Sequence, residues 1–378
     1  MAGSTACATA PPLWRPRYPG LGHTDGGTER CESWCSDQEC EQLVTIATHE
    51  VSAADHLVLQ RLALELRRPA APHVPARTQY TIHDAAPSAP LVESRPVKAQ
   101  LRVMIYDEGN PSTDLIYNDS LSTTISPGGW CVWGNKALEA FFPRLADALS
   151  RHYGYLGEWP SYFRLYYFLS SALAIWDRTF AKAYPRLRYW WRMEPDVLFS
   201  GSLRTLLGVL DIATQADCLL PGPFLSQRQM PSYSHWERNA DISIGWPPSQ
   251  ILWSLVVVAR YSRRMMDLLE SSWDAGLFGF EEISMPALCL TSPNCTLAKI
   301  GSAGIIEEED FSYSTASHVQ FRPFWSCEEY LSSRMHNTHE LWHPVKDRNC
   351  LVRFFAHQTP PTAPSPEFNR PTGKGNLP

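Results

Sequence analysis

The sequence predicts an α/β fold: one main domain built on a mixed sheet flanked by helices, with disordered tails at both ends. Three observations carry this expectation. Short aromatic or aliphatic runs at Leu101–Tyr106, Trp130–Trp133, Arg188–Met193 and Asp217–Leu220 alternate with stretches of helical periodicity. A hydrophobic fraction of 44% over 378 residues is enough for one large core. Both ends are rich in Pro, Gly, Ser and Thr and poor in aliphatic residues.

Taken in order, residues 1 to about 38 read as disordered. Cys31, Cys35 and Cys40, with His23 nearby, lack the paired Cys-x-x-Cys of a zinc ribbon. Glu41–Arg68 reads as a helix that ends before Pro69, and residues 69–98 as a Pro- and Ala-rich linker. The expected division is therefore an N-terminal region over 1–98, the main domain over 99–356 and a tail over 357–378.

Within the domain, Leu101–Tyr106 is a strand ending at Asp107-Glu108-Gly109, and Trp130–Trp133 is a second. Leu138, Phe141, Phe142, Leu145 and Leu149 recur at helical spacing, which predicts a helix over 135–152. A longer helix follows Pro160 and is stopped by Pro185. Arg188–Met193 is short, aromatic and bounded by prolines, which suits a buried strand. Ser202 caps a helix running to about Ile212, and Asp217–Leu220 is a further strand. Ile251, Leu255, Val258, Met265 and Leu269 mark one more helix.

A formal charge of −6 and a pI near 6.1 leave no basic footprint for nucleic acid. No Lys/Arg block offers a polybasic membrane patch. The first 20 residues lack the apolar run of a secretory signal and are broken by Pro11, Pro12, Pro16 and Pro19. The most apolar stretch, Ile251–Ala259, is far shorter than the roughly 20 residues of a membrane span. Cys289 and Cys295 are close enough to staple a loop, and the triplets Asn118-Asp119-Ser120 and Asn294-Cys295-Thr296 have the pattern of N-glycosylation acceptors.

The chemistry concentrates in Trp190-Trp191-Arg192-Met193-Glu194-Pro195-Asp196-Val197. A buried strand runs into two carboxylates one residue apart, and in an extended chain residues i and i+2 point the same way. Pro195 disfavours a helical Glu194. Both carboxylates then face one site at a strand end, where open α/β sheets bind ligands. Such a pair beside a diphosphate is a set of oxygen ligands for Mg²⁺ or Mn²⁺. The alternative is a turn in which Asp196 caps backbone amides and Glu194 pairs with an arginine.

This stretch resembles the metal-binding acid-x-Asp segment of GT-A glycosyltransferases. Its wording, from Trp191 to Gly201, is similar to a family of glycosyltransferase-like proteins of fungi and algae, and a fungal mannosyltransferase family has a similar Trp-Arg-x-Glu-Pro run. Two more stretches support the resemblance in order. Val258–Met266 with its Ser-Arg-Arg leads into Gly279–Pro286, and Leu341-Trp342-His343-Pro344-Val345-Lys346 resembles the family's closing His-Pro-Val-Lys motif. The match spans roughly Leu101 to Arg353, and no first nucleotide-binding βα unit is read before Leu101.

The resemblance implies a GT-A-like, Rossmann-like sheet and transfer of a sugar from a nucleotide diphosphate sugar to a glycan or protein hydroxyl. It implies Glu194 and Asp196 on Mn²⁺ or Mg²⁺, with His343 completing the metal site from a C-terminal loop. Lys346 or Arg348 would hold the donor diphosphate, against the alternative of a solvated loop, and Arg263 and Arg264 are further candidates, against the alternative of a helix surface. Glu281 or Glu282 would bind the acceptor or act as general base, against the alternative that they cap a helix starting near Ile283. The implied compartment is the Golgi lumen.

Two rival functions stand beside this one. A carbohydrate- or protein-binding module could keep the fold without turnover. A glycosidase needs two carboxylates flanking a sugar, and Glu194 and Asp196 are too close in sequence for that. No Gly-x-Ser-x-Gly, phosphate-loop, His-Glu-x-x-His or Cys-x-x-Cys pattern supports a hydrolase, NTPase, zinc protease or redox enzyme.

Overall fold

Buried strands need a partner on each side for their backbone groups and a hydrophobic layer on each face. Tyr189–Met193 has both and lies inside a seven-stranded sheet. The computed structural model describes residues 40–48, 53–67, 97–106, 130–133, 135–153, 170–178, 184–199, 203–229, 231, 251–277, 279–300, 319–335 and 341–345. Its strands are β1 (Gln42–Thr48), β2 (Ala99–Tyr106), β3 (Trp130–Trp133), β4 (Tyr189–Met193), β5 (Leu198–Phe199), β6 (Cys218–Leu220), β7 (Gly222–Ser226), β8 (Leu252–Leu255), β9 (Val258–Ser262), β10 (Leu297–Lys299), β11 (Val319–Trp325) and β12 (Leu341–Val345). Its helices are α1 (Ala53–Arg67), α2 (Asn135–Phe141), α3 (Pro143–Tyr153), α4 (170–178), α5 (Leu203–Ala213), α6 (Arg263–Asp274), α7 (Glu281–Thr291) and α8 (Cys327–Met335).

The large sheet has the order β10-β6-β9-β4-β1-β2-β3. β9 runs antiparallel to both its neighbours, β4 and β6, and the other pairings are parallel. This is the helix-flanked α/β sheet that the strand–helix alternation predicts, in the mixed, Rossmann-like form that the resemblance implies. On one face Leu43, Ala47, Trp190, Ala259 and Tyr261 pack against α2, α3, α4, α6 and α7. On the other, Val44, Ile46, Trp191, Met193 and Val258 pack against α1 and α5. The alternation of Trp190 and Trp191 between the two layers is the period of two expected of a strand. No helix among the described residues is long and apolar enough to cross a membrane.

Three expectations are corrected. Gln42–Thr48 is not helical: it is the strand β1, between β2 and β4, and every residue of it is buried. A central parallel strand is apolar on both faces and has no alternation to announce it. β1 pairs in parallel with β2 through α1, so a βα unit begins before Leu101. Ile251–Leu269 is two strands followed by a helix, with Ser262 as N-cap accepting a hydrogen bond from the Met265 amide. The helix expected over 135–152 is divided, with Pro143 opening the second segment.

The other elements occur where the sequence places them, and Cys289 and Cys295 form a disulfide across the end of α7. The Cys31/Cys35 group, Asn118, the expected cap Ser202 and both tails lie outside the described residues, as do 160–169 and 179–183 of the helix expected after Pro160.

Candidate metal centre

The strand order 3-2-1-4 turns back between β1 and β4, and ligands of open α/β sheets bind outside the carboxyl ends of the strands at such a switch. Glu194 is the first residue beyond the carboxyl end of β4. Its amide still donates to the Val257 carbonyl at 2.9 Å. The chain then turns: the Val197 amide donates to the Glu194 carbonyl at 3.1 Å, with Pro195 and Asp196 at the turn's centre. Pro195 thus sits at the position where its fixed φ suits a turn. The expectation that Glu194 and Asp196 share a direction through strand alternation is corrected. A turn, not an extended segment, gathers them.

After the turn, β5 pairs antiparallel with β12, Trp342 opposite Leu198 and Leu341 opposite Phe199. The Val345 amide donates to the Asp196 carbonyl at 3.0 Å. These bonds carry His343 over the turn. β12 is held by a small core of Val58, Leu198, Cys327, Tyr330, Trp342 and Val345. The ring of Tyr330 meets that of Trp342 edge-on at 6.2 Å.

Three side chains converge as a result. His343 Nε2 lies 3.0 Å from Glu194 Oε2 and 3.4 Å from Asp196 Oδ1. One ligand atom from each of Glu194, Asp196 and His343 lies within 4.8 Å of the others. Their side chains keep 18%, 17% and 12% of their surface, so the group is half-buried.

The electrostatics follow from that geometry. Burial disfavours the His343 cation, but hydrogen bonds to Asp196 and Glu194 and their charges outweigh it, raising its pKa to about 9. Burial alone would raise the Glu194 carboxyl. The hydrogen bond from His343, with the charge of Arg192, instead holds it below the usual carboxylate range. Without a cation, a protonated imidazole stands in its place. Two carboxylate oxygens and an imidazole nitrogen are a donor set that could hold a metal ion. The residues present fit a divalent ion, provided His343 gives up its proton.

Behind the cluster sits Arg192, fully buried, which the sequence reading did not single out. It bonds Glu194 Oε1 at 3.1 Å, lies 3.3 Å from Glu281 Oε2 and donates to the Val256 carbonyl. The alternative of Glu194 paired with an arginine in a turn is therefore also realised, together with the convergence on His343. Signal for Arg192 existed: a cation inside a strand otherwise buried among aromatics requires a buried counter-ion.

Glu281 is that counter-ion. It is 1% exposed and accepts from the Ser170 amide of α4. Burial pushes its carboxyl above the usual range, against the pull of Arg192 and Ser170. The sequence offers Glu281 as an acceptor-contacting base; the structure places it in the interior against Arg192. Glu282 is half-buried and accepts from the Trp253 indole at 2.7 Å. Both begin α7 itself, so the helix expected near Ile283 starts two residues earlier.

Arg263 is also corrected. Met193 pairs with Val258 and Tyr189 with Ser262, so Arg263 lies at the opposite end of β4 from Glu194. Ser262, the residue before it, is already five residues from Glu194 along the strand, roughly 17 Å at the usual rise. Arg263 stacks 4.1 Å over Trp190 and pairs with Asp177. Lys346 and Arg348 lie outside the described residues.

Comparisons with known proteins add a distant likeness. No family profile and no curated protein sequence matches the chain. Among solved structures, mouse xyloside xylosyltransferase 1 in its apo form is similar. The match has 12% identity and a TM-score of 0.34, covering 82% of this chain and 98% of that one. At that score the likeness carries no argument about chemistry, and the functional reading rests on the cluster.

Proposed function

We propose that the chain is a metal-dependent glycosyltransferase that moves a sugar from a nucleotide diphosphate sugar to a hydroxyl of a glycan or glycoprotein. The observation that carries this reading is the convergence of Glu194, Asp196 and His343 at the carboxyl end of β4, beside the turning point of the strand order. A bound Mn²⁺ or Mg²⁺ supplies positive charge that offsets the negative charge of a departing nucleoside diphosphate. The chain's own groups do the rest. Glu194 stays ionised because Arg192, and in the metal-free site the protonated His343, stabilise its charge. Arg192 fixes the rotamer of Glu194 from behind, leaving Oε2 directed at the cluster. His343 acts as a ligand in its neutral form.

On the acceptor side the better carboxylate is Glu282. Its neighbour is committed to Arg192, whereas Glu282 is partly exposed and oriented by Trp253. In an inverting course the acceptor oxygen bonds to the anomeric carbon as the carbon–oxygen bond to the diphosphate breaks. The hydroxyl proton passes to Glu282. The purified chain with Mn²⁺ is expected to hydrolyse some nucleotide sugars slowly, and Asp196→Asn to abolish this. Unchanged hydrolysis in that variant would remove Asp196 from the mechanism.

One observation favours a second reading, a binding module without turnover. A protonated His343 already satisfies both carboxylates, so the cluster can serve as a clasp joining β12 to the turn. Calorimetric titration with nucleoside diphosphates separates the two. Metal-dependent binding supports the transferase, and its absence supports the clasp.

A further inference from the structure

We propose that Asn294 carries an N-linked glycan and that the chain matures in the oxidising lumen of the secretory route. The proposal is independent of the transferase reading. It combines three features of the α7–β10 connection that the metal centre does not use.

The first is the triplet Asn294-Cys295-Thr296, which has the hydroxyl residue two positions on that the acceptor pattern requires. The second is placement. Pro293 and Asn294 form an exposed turn, and among the described residues no hydrogen bond involves the Asn294 side chain. Only its carbonyl is engaged, by Arg264. A glycan on Nδ2 therefore extends into solvent without disturbing the fold. The third is the flanking disulfide Cys289–Cys295, with Cys327 also disulfide-bonded. The free thiols among the described residues, Cys40 and Cys218, are both buried. Persistent disulfides belong to compartments outside the reducing cytosol, and those compartments also hold the N-glycosylation machinery.

The folded state also fixes the order of events. Thr296 Oγ1 donates to Asp217 Oδ2 at 2.9 Å and accepts from the Asp217 amide at 3.0 Å, so the hydroxyl is engaged once β10 has docked beside β6. Glycan transfer then precedes closure of the disulfide and docking of β10. In that step the Asn294 amide nitrogen bonds to the anomeric carbon of a lipid-diphosphate-linked oligosaccharide. The sugar–phosphate bond breaks, the lipid diphosphate leaves, and the amide gives up one proton.

The test uses the full chain isolated from its own cells. Release of glycans with a peptide amidase in heavy-oxygen water is followed by peptide mass mapping without reduction. Asn294 is expected to appear as isotope-labelled Asp, in a peptide still cross-linked through Cys295. In a eukaryotic host Asn294→Gln is expected to lose one glycan step in gel mobility, while Thr296→Ser keeps both the step and the fold. An unmodified Asn294, label confined to Asn118, or no mobility change in Asn294→Gln would overturn the proposal.

Discussion

His343 Nε2 and Glu194 Oε2 are separated by 149 positions in the chain and by 3.0 Å in space. The contact joins the end of the central strand β4 to β12 of the small sheet, and Asp196 closes it from the turn between them. A polar contact of this kind is costly to assemble from distant segments unless burial and charge reward it. Here it gathers three donors suited to a divalent ion.

The proton on His343 makes metal affinity depend on pH. With a folded pKa of about 9, an ion must displace that proton at neutral pH. Apparent Mn²⁺ affinity is expected to rise by about tenfold per pH unit up to that value and then level off. The metal-free protein behaves oppositely. Its pKa is raised above the ordinary 6.5, so the stabilisation from the protonated imidazole is fully present below that value and is lost as pH rises through about 9. Calorimetric titration and thermal melts across this range check the two signs together.

Arg192 is expected to be the most damaging single truncation around the site. Arg192→Met leaves Glu281 and Glu194 buried without their cation, at a cost of about 3–5 kcal/mol. Arg192→Met combined with Glu281→Gln should recover much of that loss, because the stranded charge is gone. Chemical denaturation of the two single variants and the double variant measures the coupling.

Glu281 and Glu282 are expected to separate cleanly. Glu281→Gln lowers stability by weakening the pair with Arg192. Glu282→Gln leaves the melting temperature close to that of the parent and lowers kcat by roughly 10²–10⁴-fold, the usual range for a general base. Turnover of a nucleotide sugar in the presence of an acceptor, set beside thermal melts, distinguishes them. A Glu282→Gln variant with full kcat would exclude this carboxylate as the base.

The disulfide between Cys289 and Cys295 closes a short loop, with a sequence separation of 6. The chain-entropy relation gives such a loop about 2 kcal/mol. Replacing both cysteines by serine should lower stability by that order while leaving Mn²⁺ binding at the distant cluster intact.

Much of this arrangement is legible in the sequence, and the exceptions have physical causes. The aromatic run at 189–193 announces a buried strand because tryptophan and tyrosine beside a single arginine suit few other environments. Glu194 and Asp196 follow from it, although the route by which they meet, a turn, is not visible in a pattern of alternate residues. β1 escapes because a parallel strand buried on both faces resembles the start of the helix that follows it. Two strands in Ile251–Ser262 are hidden for a related reason: apolar positions from β8, β9 and α6 sum to a false helical period. The pairing of Arg192 with Glu281 joins a strand to a helix 89 positions later, read from their numbers, and no local rule anticipates it. Arg263 attracts attention as a cation near a candidate motif, yet the antiparallel register of β9 carries it away from the site.

The most direct test of the central claim is the electron spin-echo spectrum of Mn²⁺ bound to the full chain. The account predicts one bound ion whose echo is modulated by a directly coordinated imidazole nitrogen. That modulation should vanish in His343→Gln, and the ion should be lost in Asp196→Asn. A bound ion showing no nitrogen coupling, or one that survives unchanged in both variants, would contradict it.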